Sequence, residues 1–153
     1  MKTKVMAFGT FDYLHAGHEY FLKEASQLGD QLIVVVARDR TAESIRGQKP
    51  DHHERQRIAN VKTLPFVTKV VLGDHEDKYK VIRKYKPGVI ALGYDQFVFT
   101  QRLNRVLIDL KLNTQVKRLE PYRPEIYKSS LIKRSLQNGT PSQWPSLKPS
   151  NAI

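Results

Sequence analysis

Short runs of apolar residues recur along the chain and alternate with amphipathic stretches. The runs at residues 4–8 (KVMAF) and 32–37 (LIVVVA) are unbroken and rich in β-branched residues, as expected of strands that are covered on both faces. Residues 67–72, 89–92 and 115–119 predict three further strands. The pattern therefore predicts a sheet of about five strands in the interior of the molecule.

The stretches between these runs have helical periodicity. Residues 17–28 carry their apolar side chains on one helical face, and residues 54–63, 75–85 and 97–111 also predict helices. A last short helix is predicted to begin at Ser129. Because strands that alternate with helices form βα units, we predict an α/β protein with a Rossmann-like parallel sheet flanked by helices.

In such a sheet the right-handed crossovers place the β-to-α loops at one edge, where ligands bind in open α/β folds. The loops that the pattern predicts at this edge are residues 9–18, 38–49, 73–77, 93–97 and 120–130. We therefore expect the functional residues in these five segments.

The chain of 153 residues has the length of one domain, but its last segment differs from the rest. Of the 17 residues at 137–153, 12 are Gln, Asn, Gly, Thr, Pro or Ser, a composition that cannot build a hydrophobic core. We predict one domain at residues 1–136 and a Pro/Ser-rich C-terminal tail at residues 137–153.

Composition excludes several classes of protein. Cysteine is absent, which excludes disulfides, thiolate metal sites and cysteine nucleophiles. No run approaches the ~18 apolar residues of a membrane span, and the first residues lack the features of a signal peptide, so we expect a cytoplasmic protein without a membrane partner. A net charge of +11 attracts anions such as nucleotides, phosphorylated metabolites or nucleic acid, without choosing between them.

The first predicted loop, residues 9–18 (GTFDYLHAGH), combines glycines and histidines where a strand meets a helix. Gly9 lets a ligand approach the backbone. Gly17, which lies between His15 and His18, allows a tight turn into the helix. Two imidazoles beside the amides of a helix N-terminus can hold a polyphosphate and stabilise charge on a transferring phosphorus.

Two other interpretations of this loop stay open. The histidines could cap the helix and pack in its first turn. Asp12, His15 and His18 could instead offer three ligands to a metal ion, although a pair of histidines three residues apart is common by chance.

A second anion site is predicted near the end of the domain. Ser129 and Ser130 open the last predicted helix, and Arg123 lies in the proline-containing segment before it. Hydroxyl groups, helix amides and an arginine together can bind phosphate, whereas a plain N-cap is the alternative.

The sequence GTFDYLHAGH resembles the signature of the HxGH nucleotidyltransferase superfamily, whose members join a nucleoside monophosphate to a phosphate-bearing acceptor. The resemblance covers roughly residues 3–136 and is closest to the archaeal-type FAD synthases, then to the glycerol-3-phosphate cytidylyltransferases. Residues 34–41 (VVVARDRT) and 70–96, which end in LGYDQ, are similar to the FAD synthase branch. The cytidylyltransferase branch typically carries a GDDW-like block in place of LGYDQ.

The resemblance implies a role for each matching position. His15, His18 and Lys49 would act on the phosphates as catalytic residues, with Arg46 as the alternative to Lys49 in the basic loop RGQKP. The nucleotide-binding positions that it implies are Gly9, Thr10, Phe11, Gly17, Asp95, Arg123, Ser129 and Ser130.

On the acceptor side the resemblance implies Asp12 and an arginine at the start of the helix predicted at residues 54–63. Arg57 has the better spacing from the strand that follows, whereas Glu54-Arg55 looks more like the motif of the family. No protein-bound metal is predicted, and Mg²⁺ is expected to be carried by the nucleoside triphosphate.

The sequence and the resemblance together predict a nucleotidyltransferase that releases pyrophosphate, most closely an FMN adenylyltransferase (FAD synthase) acting on ATP and FMN. A glycerol-3-phosphate cytidylyltransferase is the second hypothesis. A non-catalytic phosphate- or RNA-binding module is the third, and its only support is the basic run at residues 78–86. Nucleic acid is not an expected partner, and a homodimer is compatible with the sequence.

Overall fold

Five parallel β-strands form one sheet in the computed structural model, which describes residues 2–94, 96 and 102–121. The strands are β1 (Lys4–Gly9), β2 (Gln31–Val36), β3 (Lys69–Leu72), β4 (Val89–Leu92) and β5 (Gln115–Arg118). Their spatial order is β3-β2-β1-β4-β5. The order reverses between β1 and β4, and the crevice at the carboxyl end of such a pair is where open α/β sheets bind ligands.

Helices cover both faces of the sheet. They are α1 (Ala16–Ser26), α2 (Asp39–Arg46), α3 (Glu54–Lys62), α4 (Lys80–Tyr85) and α5 (Leu103–Asp109). Leu22 of α1 and Val61 of α3 belong to one buried cluster with Ala7 of β1. Ile82 of α4 and Leu103 of α5 belong to a second cluster on the opposite face. None of the helices within these described ranges is long and apolar enough to cross a membrane.

The unbroken apolar runs of β1 and β2 are explained by this layering. Val5 and Ala7 pack in the first cluster, whereas Met6 between them packs in the second, and all three are fully buried. Successive side chains of a strand point to opposite faces, so a strand covered on both faces must be apolar at every position. The predicted α/β fold with a parallel sheet is therefore confirmed.

The prediction of a loop over residues 38–49 was wrong, because α2 occupies most of that segment. The helix has little apolar periodicity: only Ala42 is buried, and Ile45 is 51% exposed. Its C-cap is Gly47, whose φ of 78° is a left-handed conformation that glycine adopts at low cost. A helix this short and polar gives almost no hydrophobic signal in the sequence.

The other predicted helices are present with different limits. α4 begins at Lys80 rather than at residue 75, because the Asp74 carboxylate accepts hydrogen bonds from the amides of Glu76 and Asp77 and holds a turn there. α5 covers the second half of the helix predicted at 97–111. The last predicted helix and the tail lie outside the described residues, so the division at residue 136 stays a prediction.

Candidate active site

The loop between β1 and α1 lies at the carboxyl edge of the sheet and is shaped by Phe11. Phe11 has a φ of 55°, and its side chain is only 3% exposed. Its ring lies so close to Gly9 that a Cβ atom at that position would be 2.7 Å from two ring carbons. Glycine at position 9 therefore makes room for Phe11, which adds a structural reason to the ligand approach predicted from the sequence.

His15 is the N-cap of α1, and its capping bond determines its tautomer. The backbone N–H of Gly17 donates to His15 Nδ1 at 3.0 Å. Because Nδ1 accepts a hydrogen bond, the neutral ring carries its proton on Nε2, which can donate to a ligand. Gly17, predicted to bind nucleotide, uses its amide in this cap.

His18 lies one turn further along α1 and stacks on His15. The ring centroids are 3.9 Å apart and the planes differ by 23°. The rings of Phe11 and His18 also pack edge to face, with centroids 5.2 Å apart and planes at 71°. The two predicted catalytic histidines thus form one rigid pair at the N-terminus of an 11-residue helix, whose first amides favour an anion.

Burial keeps both imidazoles neutral at physiological pH. Burial, together with the neighbouring His18, lowers the pKa of His15 to about 2. Burial also lowers the pKa of His18 to about 4; the backbone carbonyl of Tyr13 opposes this shift and the charge of Arg46 adds to it. Two neutral rings can stack without charge repulsion, and each can still present one N–H donor.

The depressed pKa of His18 predicts a loss of stability in mild acid. Its ordinary value is 6.5, so below that pH the unfolded chain binds a proton that the folded protein resists. The contribution of the neutral His18 to the free energy of unfolding is complete above pH 6.5. It falls by roughly 3 kcal/mol towards pH 4. Urea unfolding of the wild type and His18→Leu at pH 7, 6 and 5 would measure it. The variant should lose less stability, and identical pH dependences would contradict the buried neutral state.

Asp12, predicted to face the acceptor, is 3% exposed and holds the segment before α3. Its two carboxylate oxygens accept hydrogen bonds from the backbone amides of Asp51 and His52, each at 2.9 Å. The side chain therefore joins the histidine loop to the segment that leads into α3.

Arg57, the other predicted acceptor residue, is fully buried and makes the reciprocal connection. Its guanidinium donates to the carbonyl of Thr10 at 2.7 Å, to the carbonyl of His52 at 3.0 Å and to the Asp39 carboxylate at 2.7 Å. These contacts favour a positioning role over direct contact with an acceptor. Arg55, the alternative, is exposed on α3.

A network of charged side chains ties α2, α3 and β3 together at the same edge. Glu54 accepts from the backbone amide of Asp39 at 2.9 Å and from Arg38 at 3.1 Å, and Arg38 also donates to the carbonyl of Gly73 at 2.8 Å. Burial alone would raise the pKa values of Asp39 and Glu54, but hydrogen bonds, mainly from Arg57 to Asp39 and from the Asp39 amide to Glu54, lower both. Residues 38 and 54 are too far apart in the chain for spacing to reveal this contact.

The two basic candidates of the second loop differ in position. Arg46 ends α2, and its charge lowers the pKa of His18, so it lies within electrostatic reach of the histidine pair. Lys49 lies in the exposed segment between α2 and α3. Both side chains are exposed, and Arg46 is the one whose charge acts on His18.

Two residues that the sequence did not single out form hydrogen bonds at the crevice between β1 and β4, where the strand order reverses. The Gln96 side chain accepts from the amide of Gly93 at 2.8 Å and donates to the carbonyl of Phe8 at 2.7 Å. Arg118 donates to the carbonyls of Gly93 and Gln96 at 2.7 Å and 3.0 Å. The LGYDQ block contained the signal for Gln96, but nothing in the sequence marked Arg118.

Four predicted nucleotide-binding residues lie outside the described residues: Asp95, Arg123, Ser129 and Ser130. The second anion site therefore stays a prediction. Within the described part of the chain, no group of three or more His, Cys, Asp or Glu side chains is placed to hold a metal ion.

Comparison with known proteins identifies related sequences and folds. Residues 6–135 match the model of the cytidylyltransferase-like family. A curated FAD synthase of Picrophilus torridus is 41% identical over 133 residues, which are 87% of this chain and 95% of that protein. A curated FAD synthase of Archaeoglobus profundus is 44% identical over 133 residues, 86% of this chain and 84% of that protein.

Solved structures show the same architecture. The chain resembles the crystal structure of a lipopolysaccharide core biosynthesis protein from Thermoplasma volcanium with a TM-score of 0.75 and 39% identity, over 80% of this chain and 99% of that one. Its likeness to a pantoate-β-alanine ligase from Francisella tularensis has a TM-score of 0.58 at 14% identity, over 89% of this chain and 69% of that one, and concerns the fold alone.

Proposed function

The chain belongs to the cytidylyltransferase-like family, and on this premise we propose that it is an FAD synthase. It is a nucleotidyltransferase, and its reaction would transfer the adenylyl group of ATP to the phosphate of FMN with release of pyrophosphate. The curated FAD synthases that match most of the chain support ATP and FMN as the substrates.

The observation that carries this proposal is the stacked pair of His15 and His18 at the N-terminus of α1. An oxygen of the FMN phosphate, already ionised at neutral pH, attacks the α-phosphorus of ATP while the bond from that phosphorus to the pyrophosphate oxygen breaks. No general base is needed, so positioning and charge stabilisation supply the catalysis. The Nε2–H of His15, an N–H of His18 and the helix amides are donors for the phosphoryl oxygens.

The remaining site assignments belong to this proposal. Arg46 or Lys49 would contact the phosphates from α2 and the segment after it. Arg123, Ser129 and Ser130 would bind the β- and γ-phosphates. Mg²⁺ would enter with ATP, because the phosphate oxygens and water are the hard ligands that it prefers. A cytoplasmic location and a homodimer stay predictions.

A substrate panel tests the proposed reaction. The protein is incubated with Mg²⁺ and either ATP and FMN or CTP and glycerol 3-phosphate, and pyrophosphate and FAD are quantified. We expect equal amounts of FAD and pyrophosphate from the first pair. Pyrophosphate from the second pair alone would show that the acceptor assignment is wrong and would favour the cytidylyltransferase hypothesis.

The structure offers little support for RNA binding through the basic run at residues 78–86. Lys80 lies 3.5 Å from the Asp74 carboxylate, and Arg83 is paired with Asp77. These contacts neutralise part of the charge, and α4 packs on the face of the sheet opposite α1.

Reversal of charge in the basic run at residues 78–86 should therefore have little effect on catalysis. We expect the Lys78→Glu/Lys84→Glu variant to keep kcat/KM within about three-fold of wild type, since exposed charges more than about 10 Å away are screened at ~0.1 M salt. Turnover and RNA binding, measured by fluorescence anisotropy at several salt concentrations, are compared for both proteins. Tight RNA binding that loses salt dependence in the variant, with no turnover by either protein, would favour the binding module.

A further inference from the structure

An open cleft of about 410 Å³ lies beside the loop that carries the histidines. Its lining residues are Asp12, Tyr13, Leu14, His52, Asn60 and Thr63. Asp12, Tyr13 and Leu14 belong to the loop between β1 and α1. His52 lies before α3, Asn60 lies in α3, and Thr63 directly follows it. Because Leu14 directly precedes His15, the cleft adjoins the histidine pair. Its volume is within the range of small-molecule sites.

Two aromatic rings form one wall of the cleft and are held in place by hydrogen bonds. The rings of Tyr13 and His52 pack edge to face, with centroids 4.9 Å apart and planes at 74°. The Tyr13 hydroxyl donates to the Asp51 carboxylate, and burial together with Asp51 raises the pKa of Tyr13 to about 12. The phenol thus stays protonated and keeps its hydrogen bond to Asp51.

Asp12 determines which nitrogen of His52 faces a ligand. His52 Nδ1 lies 2.6 Å from the backbone carbonyl oxygen of Asp12 and 3.0 Å from its carboxylate. A carbonyl oxygen only accepts, so Nδ1 carries a proton, and in the neutral ring Nε2 is an acceptor. The His52 side chain is 37% exposed, which leaves the ring accessible from the cleft.

Asn60 adds a donor to this acceptor. The Gln56 side chain donates to Asn60 Oδ1 at 2.9 Å. Its nitrogen has no partner among the described residues and can donate into the cleft. An aromatic wall beside one acceptor and one donor complements a planar heteroaromatic ring whose edge carries an N–H next to a carbonyl.

We propose that this cleft binds the isoalloxazine ring of FMN, an inference that rests on the proposed function and names the acceptor subsite. The ring packs on Tyr13, its imide N–H donates to His52 Nε2, and a neighbouring carbonyl accepts from Asn60. The ribityl chain then runs past Leu14 and brings the phosphate to the histidine pair that starts with His15. A glycerol phosphate has no ring to fill the cleft, so this contact would select flavin acceptors.

Riboflavin, which has the ring and lacks the phosphate, tests the cleft without turnover. Its binding is followed by quenching of flavin fluorescence in wild type, Tyr13→Ala and Asn60→Ala, with Lys62→Ala as the control. Lys62 is exposed on α3 beside the cleft but does not line it. We expect the riboflavin Kd to rise at least about five-fold on loss of the stacking ring and about three- to ten-fold on loss of the hydrogen bond. Lys62→Ala should bind as wild type does.

Steady-state kinetics then separate the cleft from the reaction. In both variants KM for FMN should rise by the same factors while KM for ATP stays within about two-fold, and their melting temperatures report that they fold. The cleft assignment would be overturned if riboflavin did not bind, or if it bound equally well to the wild type and both folded variants. An unchanged KM for FMN in the variants would overturn it as well. Wild-type protein that binds riboflavin in a Tyr13-dependent way but forms no FAD would support the cleft and contradict the proposed reaction.

Discussion

Replacement of His18 by alanine is expected to lower kcat by a factor of about 10²–10³, the scale of losing one preorganised donor that stabilises developing charge. KM for ATP should change much less, because the contact strengthens only as charge builds on the α-phosphate. The His18 ring is half-buried and packs against the rings of His15 and Phe11, which hold it at this position. Steady-state kinetics with ATP and FMN measure the effect.

His75→Ala is a suitable control for this variant, because His75 is an exposed histidine on another loop of the same edge. It should leave kcat unchanged. A His18→Ala enzyme with near-wild-type turnover would show that the histidine pair is not the catalytic centre. His15→Ala should lose both activity and stability, since His15 also caps α1 through Gly17.

The second large effect is expected for Arg57→Met. Its buried guanidinium holds the Thr10 carbonyl, the His52 carbonyl and the Asp39 carboxylate, and methionine would leave all three without this donor. Loss of one partner of a buried ion pair typically costs about 3–5 kcal/mol. We expect a decrease of that size in the free energy of unfolding, measured with urea, and a fall in kcat because Thr10 lies in the histidine loop.

Arg55→Met on the same helix is the matched control and decides between the two arginines. Arg55 is exposed, so its loss should leave the free energy of unfolding unchanged. If Arg55 contacts the acceptor, this variant will raise KM for FMN alone. If Arg57→Met instead raised KM for FMN without loss of stability, Arg57 would be an acceptor ligand and the positioning role would be wrong.

The parts of the fold that the sequence predicted are those dominated by burial. β1 and β2 are apolar at nearly every position because both faces of the sheet are covered, and that pattern is visible in the chain without any structure. α2 escaped prediction because Ala42 is its only buried residue. A helix stabilised mainly by its ends and by charged contacts has no apolar stripe to recognise.

For the candidate site, the sequence by itself determined the loop, the two histidines and their place at the start of α1, because these lie within ten consecutive residues. Only the tertiary structure decided the roles of Asp12 and Arg57, whose partners lie up to 47 residues away in the chain. An arginine in the polar segment ERQR is expected at the surface, yet Arg57 is fully buried because three oxygen atoms from separate segments surround its guanidinium. Burial of a charge depends on partners that folding brings together, and local sequence patterns carry no record of them.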